Sequence, residues 1–186
     1  MSLIALILIV AGLGFYVILL YNGLVRGRND VKSSWSSMEV QLKRRYDLIP
    51  NLVETVKGYA AHERQTLDAV VRARQQALSF SGSIEERVKV ETALTQSLRS
   101  LFALAEAYPN LKANQNFLAL QEELATTENK IGFSRQYYND TAKQYKNRVE
   151  VFPGNIVASL FGFKAEPFFQ LENSGERAAP QVKIAN

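Results

Sequence analysis

The only histidine in the chain, His62, stands in a segment that matches part of a zinc peptidase motif. The complete motif has two histidines four residues apart on one helix, so that both bind the same zinc ion. Thr66 occupies the position of the second histidine, so the motif is broken and we expect His62 to be an exposed helix residue. The chain has no cysteine, phosphate-binding loop or dinucleotide fingerprint. The sequence therefore predicts a protein without enzymatic activity, metal or cofactor.

A second set of residues that could bind a ligand surrounds a proline. Its cations, carboxylates and amide fall within one short span: Arg44, Arg45, Asp47, Pro50, Asn51 and Glu54. A proline costs about 3 kcal/mol inside a helix but little at the first helical position. We therefore predict that one helix ends before Asp47 and that the next begins at Pro50, which makes this span a corner. The alternative is one long helix that is kinked at Pro50.

A second corner is predicted further along the chain, at Tyr108, Pro109, Asn110 and Asn114. In a bundle of four antiparallel helices, both corners lie at the same end. We expect their polar side chains to bond each other rather than to hold a substrate.

Two charged residues of the last long helix, Glu128 and Arg135, fall in a column that is predicted to face inward. A buried unpaired charge costs several kcal/mol, so each requires a partner or a water-filled pocket. The favoured interpretation is that they fix the register of the bundle, and a ligand site is the alternative.

The N-terminal segment has the composition of a membrane anchor. From Leu3 to Leu20 there is no charged residue, and thirteen positions are Leu, Ile, Val or Phe. Counted to Val25, the segment is long enough to cross about 30 Å of hydrocarbon. The flank before it carries no Lys or Arg, unlike a cleaved signal peptide. We predict an uncleaved anchor over residues 1–25.

The charges next to the anchor predict its orientation. Arg26, Arg28 and Lys32 follow it closely, so the positive-inside rule places the C-terminal domain in the cytoplasm of a bacterial cell, with a periplasmic domain as the alternative. The formal net charge of +4 suits an anionic membrane surface as a partner and is too small to indicate nucleic acid.

Helical periodicity dominates the remaining sequence. Apolar stripes predict helices over residues 28–46, 50–78, 84–105 and 111–151, with Ser83 capping the third. Arg45 lies in the stripe of the first helix and Glu91 in that of the third. Short connections and a period near 3.5 favour an all-α fold, in which an antiparallel up-and-down bundle of four long helices (residues 26–152) follows the transmembrane helix.

Residues 153–172 form an aromatic C-terminal segment. Its phenylalanines are Phe161, Phe163, Phe168 and Phe169. The segment is expected to cover the end of the bundle, and contact with the bilayer or with a neighbouring subunit is the alternative. Residues 173–186 are polar and have the composition of a disordered tail.

Several motifs make the chain resemble the LemA family of bacterial membrane-anchored proteins. They are YN at 21–22, RN at 28–29, QLKRRYDLIPNLVETVKGY at 41–59, YPNLKAN at 108–114, LQEEL at 120–124, TENKI at 127–131 and FPGN at 152–155. The resemblance implies an antiparallel four-helix bundle behind one anchor, no known enzymatic activity and no catalytic residues.

Relatives in that family are associated with magnetosome biogenesis or are encoded near a membrane zinc peptidase. These associations suggest a scaffold or an adaptor. The anchor, the bundle and the aromatic C-terminal segment favour a homo-oligomeric scaffold of the bacterial inner membrane. The alternative is an adaptor or regulator of a membrane peptidase or signalling protein, which would be a membrane-protein partner.

Overall fold

The computed structural model describes residues 3–170, and every regular element in that range is a helix. The elements are α1 (Leu3–Lys57), α2 (Arg64–Ser79), α3 (Ile84–Ala105), α4 (Pro109–Lys112), α5 (Gln115–Glu150) and α6 (Gly154–Phe161). The predicted all-α class is confirmed. The predicted polar tail, residues 173–186, lies outside the described residues.

Helix α1 joins the apolar N-terminal segment to the interior of the protein. It has 55 residues, so it is about 80 Å long at 1.5 Å per residue. Its first part carries exposed Leu, Ile and Val side chains, whereas from Leu24 onward one stripe is buried. Within residues 3–170, α1 is the one helix that is long and apolar enough to cross a membrane. The candidate anchor and the first core helix are thus one continuous element.

The predicted helix break at Pro50 is wrong, because α1 continues through Pro50 to Lys57. Proline has no N–H, so it leaves the carbonyl of the residue four positions earlier, Tyr46, without its helical partner. Arg74 on α2 supplies the missing donor, since its Nε donates to the carbonyl of Tyr46 at 2.7 Å. The chain turns instead at residues 58–63, between α1 and α2.

Replacing Arg74 by alanine is expected to lower the free energy of unfolding by about 1–3 kcal/mol, because the Tyr46 carbonyl then has no donor. In a Pro50→Ala background the new backbone N–H can donate to that carbonyl, so the same change should cost roughly 1 kcal/mol less. A double-mutant cycle measured by chemical denaturation checks this coupling. Strictly additive effects would show that Arg74 does not compensate for the proline.

Side-chain caps set the starts of α3 and α5. The Ser83 Oγ accepts from the backbone N–H of Glu86 at 3.3 Å, and the Glu86 carboxylate accepts from the Ser83 N–H at 3.1 Å, which confirms the predicted cap. The helix predicted over 111–151 is divided. The Asn114 Oδ1 accepts from the N–H of Phe117 at 3.0 Å, so α5 begins at Gln115 and the short α4 precedes it.

Packing joins α1 to α5 and α2 to α3, and α1 also contacts α2. Most of the apolar column predicted for the last helix is buried on α5: Phe117, Leu124, Ile131, Tyr138 and Tyr145. Phe152, seven residues after Tyr145, is exposed because α5 ends at Glu150. Side chains of α5 pack closely on Gly27 of α1, where a Cβ would lie 3.0 Å from the Arg148 Nη1 and 3.1 Å from the Tyr145 Cδ2. A larger residue there would require these two side chains to shift.

Candidate functional site

A charged cluster lies in the core, centred on Arg45 of α1. The Arg45 side chain is 2% exposed. Its guanidinium donates to Glu91 on α3 and to the Glu128 Oε1 on α5, the second at 2.8 Å. A longer contact of 3.4 Å reaches the Thr95 Oγ1. One side chain of α1 therefore connects three helices.

Glu91 is the buried anion of this cluster, and each of its carboxylate oxygens has a partner. One oxygen accepts from Arg45, and the other accepts from the hydroxyl of Tyr46. Arg87, one turn earlier on α3, places its Nη1 3.5 Å from the Glu91 Oε1. With Glu128, the cluster contains two arginines and two carboxylates, so its formal charges balance.

The cluster favours the protonated forms of the Tyr46 hydroxyl and the Arg45 guanidinium. Burial raises the pKa of Tyr46 well above its ordinary value, and the adjacent Glu91 carboxylate raises it further, so the phenol remains a donor. Burial by itself would lower the pKa of Arg45, but the charges of Glu128 and Glu91 outweigh it and leave that pKa raised. Arg45 is thus permanently charged, as a structural cation requires.

The cluster is better suited to holding helices together than to chemistry on a substrate. Of the residues bonded to Arg45, Glu128 is 40% exposed and gives the cluster contact with solvent. Arg45 and Glu91 are enclosed by core side chains. Within residues 3–170, no three side chains of the types that bind metal ions lie together. A buried, balanced and hydrogen-bonded set of charges fixes the relative positions of the helices that contribute to it.

The partner that an inward-facing Glu128 requires is Arg45. Arg135 is half-buried on α5, and we find no side-chain hydrogen bond or ion pair for it within the described range. Sequence reasoning missed Glu91, although its position within an apolar stripe was the signal. An acidic residue in such a stripe requires an interior cation, and Arg45 occupied the equivalent position on the first helix.

The other residues around Pro50 lie on the surface of α1. Arg44 pairs with Glu123 at 2.9 Å, Asp47 with Lys43 at 2.8 Å, and Glu54 with Lys57 at 3.5 Å. Asn51 and Pro50 are exposed. Within the described structure, none of these side chains forms a hydrogen bond or ion pair with the second predicted corner, because α1 ends at Lys57, eleven residues later than predicted.

The second predicted corner instead contacts the turn that follows α1. The Asn114 Nδ2 donates to the hydroxyl of Tyr59 at 2.9 Å, and the Tyr108 hydroxyl donates to the Glu63 Oε1 at 3.2 Å. Pro109 is the first residue of α4, and Asn110 is exposed. Two turns are thus linked at one end of the helices, through residues other than the charged group around Pro50.

Residues 162–170 form an extended strap that crosses the protein near Trp35. Phe163 and Phe169 are buried, with the ring of Phe169 centred 5.9 Å from that of Trp35. The Tyr138 hydroxyl donates to the carbonyl of Pro167 at 2.7 Å. The rings of Phe163 and Phe169 are therefore covered by the chain itself, as expected for a segment that packs on the helices. Phe168 is half-buried, and Phe161, before the strap, is exposed.

A groove of about 480 Å³ lies beside the strap. Aromatic and charged side chains share its lining, among them Trp35, Glu39, Arg87, Tyr138 and Glu166. The cations and carboxylates are mixed along its length, so the groove has no uniform potential that would select an anion or a cation.

Comparison with known proteins identifies relatives over most of the chain. The model of the LemA family matches residues 34–184. Magnetosome protein MamQ 2 of Paramagnetospirillum magneticum is 23% identical over 181 residues, covering 84% of this chain and 66% of that protein. Protein LemA of Metamycoplasma hominis is 24% identical over 149 residues, covering 80% of this chain and 68% of that protein. The chain spans about two thirds of the length of these relatives.

Proposed function

Since this chain belongs to the LemA family, we propose that it is a non-enzymatic scaffold anchored in the bacterial inner membrane. The first part of α1 crosses the bilayer, and the rest of α1 forms a four-helix bundle with α2, α3 and α5. The observation that carries this proposal is the continuity of α1 from its exposed apolar part into the buried core. Because one continuous helix joins them, the orientation of the bundle relative to its membrane segment is fixed.

The contacts between α1 and α5 support an antiparallel bundle. Ser34 and Thr141 share a hydrogen bond of 2.8 Å, and Arg45 donates to Glu128 at 2.8 Å. Residue numbers therefore rise along α1 as they fall along α5. Arg74 on α2 donates to a backbone carbonyl of α1, and Glu91 on α3 accepts from Arg45 of α1. These contacts add α2 and α3 to the pair formed by α1 and α5, which gives four helices.

The charges that follow the membrane segment support a bundle on the cytoplasmic side. Arg26, Arg28 and Lys32 come within two turns of its end, which is the cytoplasmic pattern. This orientation puts the charged cluster and the strap inside the cell.

Exposed apolar side chains on α5 support self-assembly. Phe133 is 74% exposed and Tyr137 is 58% exposed, one turn apart on the same face of the helix. Large aromatic residues on an otherwise polar helix are typical of protein interfaces. We assign this pair to the contact between copies, and a different membrane protein on the same face is the second candidate.

Light scattering of the detergent-purified chain tests the scaffold. We expect the wild-type protein mass to be at least twice the 20.9 kDa of one chain. When Phe133 and Tyr137 are both replaced by serine, we expect a monomer. Leu118→Ser is the control, because Leu118 is exposed on the same helix but lies about four turns away. A wild-type monomer at every concentration would refute self-assembly. A C-terminal reporter that is active only in the periplasm would refute the orientation.

A further inference from the structure

Helix α6 carries an apolar face that the rest of the described chain does not cover. Val157 and Ala158 pack inward, whereas Ile156, Leu160 and Phe161 point outward. Val151 and Phe152, just before the helix, are exposed as well. Leu160 and Phe152 are each 75% exposed. We refer to these five outward residues, Val151, Phe152, Ile156, Leu160 and Phe161, as the α6 face.

The α6 face lies at the height of the end of the membrane segment. The rings of Phe161 and Tyr21 meet edge to face with centroids 4.9 Å apart. Tyr21 is about 27 Å along the helix axis from Leu3, close to the full depth of the hydrocarbon layer. A cleft of about 380 Å³ between Leu19, Leu20 and Phe152 opens at the same level. The exposed side chains of α6 are therefore next to side chains that contact lipid tails.

Several contacts fix α6 at this height. The Arg148 Nη1 donates to the carbonyl of Gly23 at 3.0 Å, which ties the end of α5 to the anchor. Arg28 lies over the ring of Phe163, 5.1 Å from its centroid. At Gly154 a Cβ would collide with the carbonyl oxygen of Arg148, so only glycine allows α6 to begin so close to α5. Gly162 ends the helix with a φ of 70°, a conformation that favours glycine.

We propose that α6 lies in the membrane interface, with its exposed face inserted between the lipid headgroups and the first part of the acyl chains. The bilayer is its occupant because the α6 face shares a cleft with Leu19, an exposed side chain near the end of the membrane segment. Arg26 and Lys164, which follow the membrane segment and α6 in sequence, are exposed cations that suit anionic headgroups. An interfacial helix of this kind buries its apolar face about 5–10 Å into the headgroup boundary.

Two attachments to one bilayer restrain the bundle more than one attachment does. The anchor alone permits tilt in any direction and rotation about its own axis, whereas α6 adds a second point to one side of α1. Because rotation about the anchor is restricted, Phe133 and Tyr137 point in one fixed direction relative to the membrane plane. The inference rests on the proposed membrane anchoring and extends it to the orientation of the scaffold.

The absence of cysteine makes the test clean, because one introduced cysteine carries a fluorescent label at a chosen site. The test variant is Leu160→Cys, the membrane control is Leu13→Cys on α1, and the solvent control is Leu118→Cys at the far end of α5. All three are exposed leucines. Each full-length chain is labelled and reconstituted into vesicles of phosphatidylcholine and phosphatidylglycerol. Separate preparations contain no quencher, lipids with a nitroxide near the headgroup, or lipids with a nitroxide deep in the acyl chain.

We expect the headgroup quencher to quench the label at 160 roughly twofold or more above the label at 118, and the acyl-chain quencher to quench the label at 13. Phe152→Cys should behave like Leu160→Cys, which guards against a local disturbance of α6. Quenching at 13 without quenching at 160 and 152 would overturn the interfacial helix and leave the anchor intact. The interfacial helix would also be overturned if the labels at 160 and 152 are shielded from water by a second copy of the chain and not by lipid. No quenching at 13 would refute the anchoring, and the interfacial helix with it.

Discussion

Replacing Arg45 by methionine is expected to lower the free energy of unfolding of the bundle by about 3–5 kcal/mol, because removing one partner leaves a buried charge without compensation. Glu91 is 3% exposed and would lose its closest cation, keeping only the Tyr46 hydroxyl and Arg87 at 3.5 Å. Water cannot replace the guanidinium without opening the packing of α1 against α3 and α5. Chemical denaturation of the full-length chain in detergent, followed by the circular dichroism of its helices, measures the loss.

Arg44→Met is the matched control, since the same change is made one residue away. Arg44 pairs with Glu123 at 2.9 Å, but both side chains are more than two-fifths exposed. An exposed ion pair contributes about 0–1 kcal/mol, so this variant should remain close to the wild type. Equal losses in the two variants would contradict the assigned role of the buried cluster.

A second variant separates the burial of charge from the loss of a contact. When Arg45→Met is combined with Glu91→Leu, the buried pair is replaced by apolar side chains and most of the lost stability should return. Tyr46 then loses its acceptor, so recovery is expected to fall short by about 1 kcal/mol. A double variant that is no more stable than Arg45→Met would show that the cost lies in packing rather than in the uncompensated charge.

The sequence was informative where the controlling interactions are local. The cap of α3 was predictable because Ser83 and Glu86 are three residues apart and satisfy each other's backbone groups. The apolar N-terminal run and the buried column of α5 followed from composition and from the helical period. Each of these features depends on residues within one or two turns of each other.

The helix through Pro50 depends on a residue far away in sequence. Propensity alone favours a break at proline, and nothing near Pro50 offers a donor for the Tyr46 carbonyl. The donor is Arg74, 28 residues after Tyr46, and its position is known only once α2 is packed against α1. The same applies to the core cluster. The stripes placed Arg45 and Glu91 inside, but their pairing depends on the rotation of α3 relative to α1.

The C-terminal segment shows a related difference between composition and structure. Its phenylalanines have the same side chain, yet Phe169 is buried in the protein and Phe161 is exposed beside the anchor. Gly162 separates the two environments, because the reversal at its positive φ ends α6 and starts the strap. Composition predicted an aromatic segment over the end of the bundle, with contact with the bilayer or a subunit as the alternative. Only the turn at Gly162 assigns individual residues to the strap or to the α6 face.

Replacing Phe169 by alanine is expected to remove about 3–5 kcal/mol of stability, because a large, fully enclosed ring is lost from the contact between the strap and Trp35. The ring is 1% exposed and lies 5.9 Å from the indole, centroid to centroid. The backbone of Phe169 is also held by Asn139, whose Oδ1 accepts from its N–H at 2.9 Å and whose Nδ2 donates to its carbonyl at 3.1 Å. These two bonds hold the strap only while the ring keeps water away from them.

Trp35 is the only tryptophan, so its fluorescence reports on the strap directly. Emission should move to longer wavelength in Phe169→Ala as water reaches the indole, and the denaturation midpoint should fall. Phe168→Ala is the control, because the neighbouring ring is half-buried, with Lys146 over it at 5.8 Å. A partly exposed ring loses less on truncation, so we expect roughly half the cost or less and unchanged emission. Similar losses and similar emission in both variants would show that the strap is held by its backbone and not by the Phe169 ring.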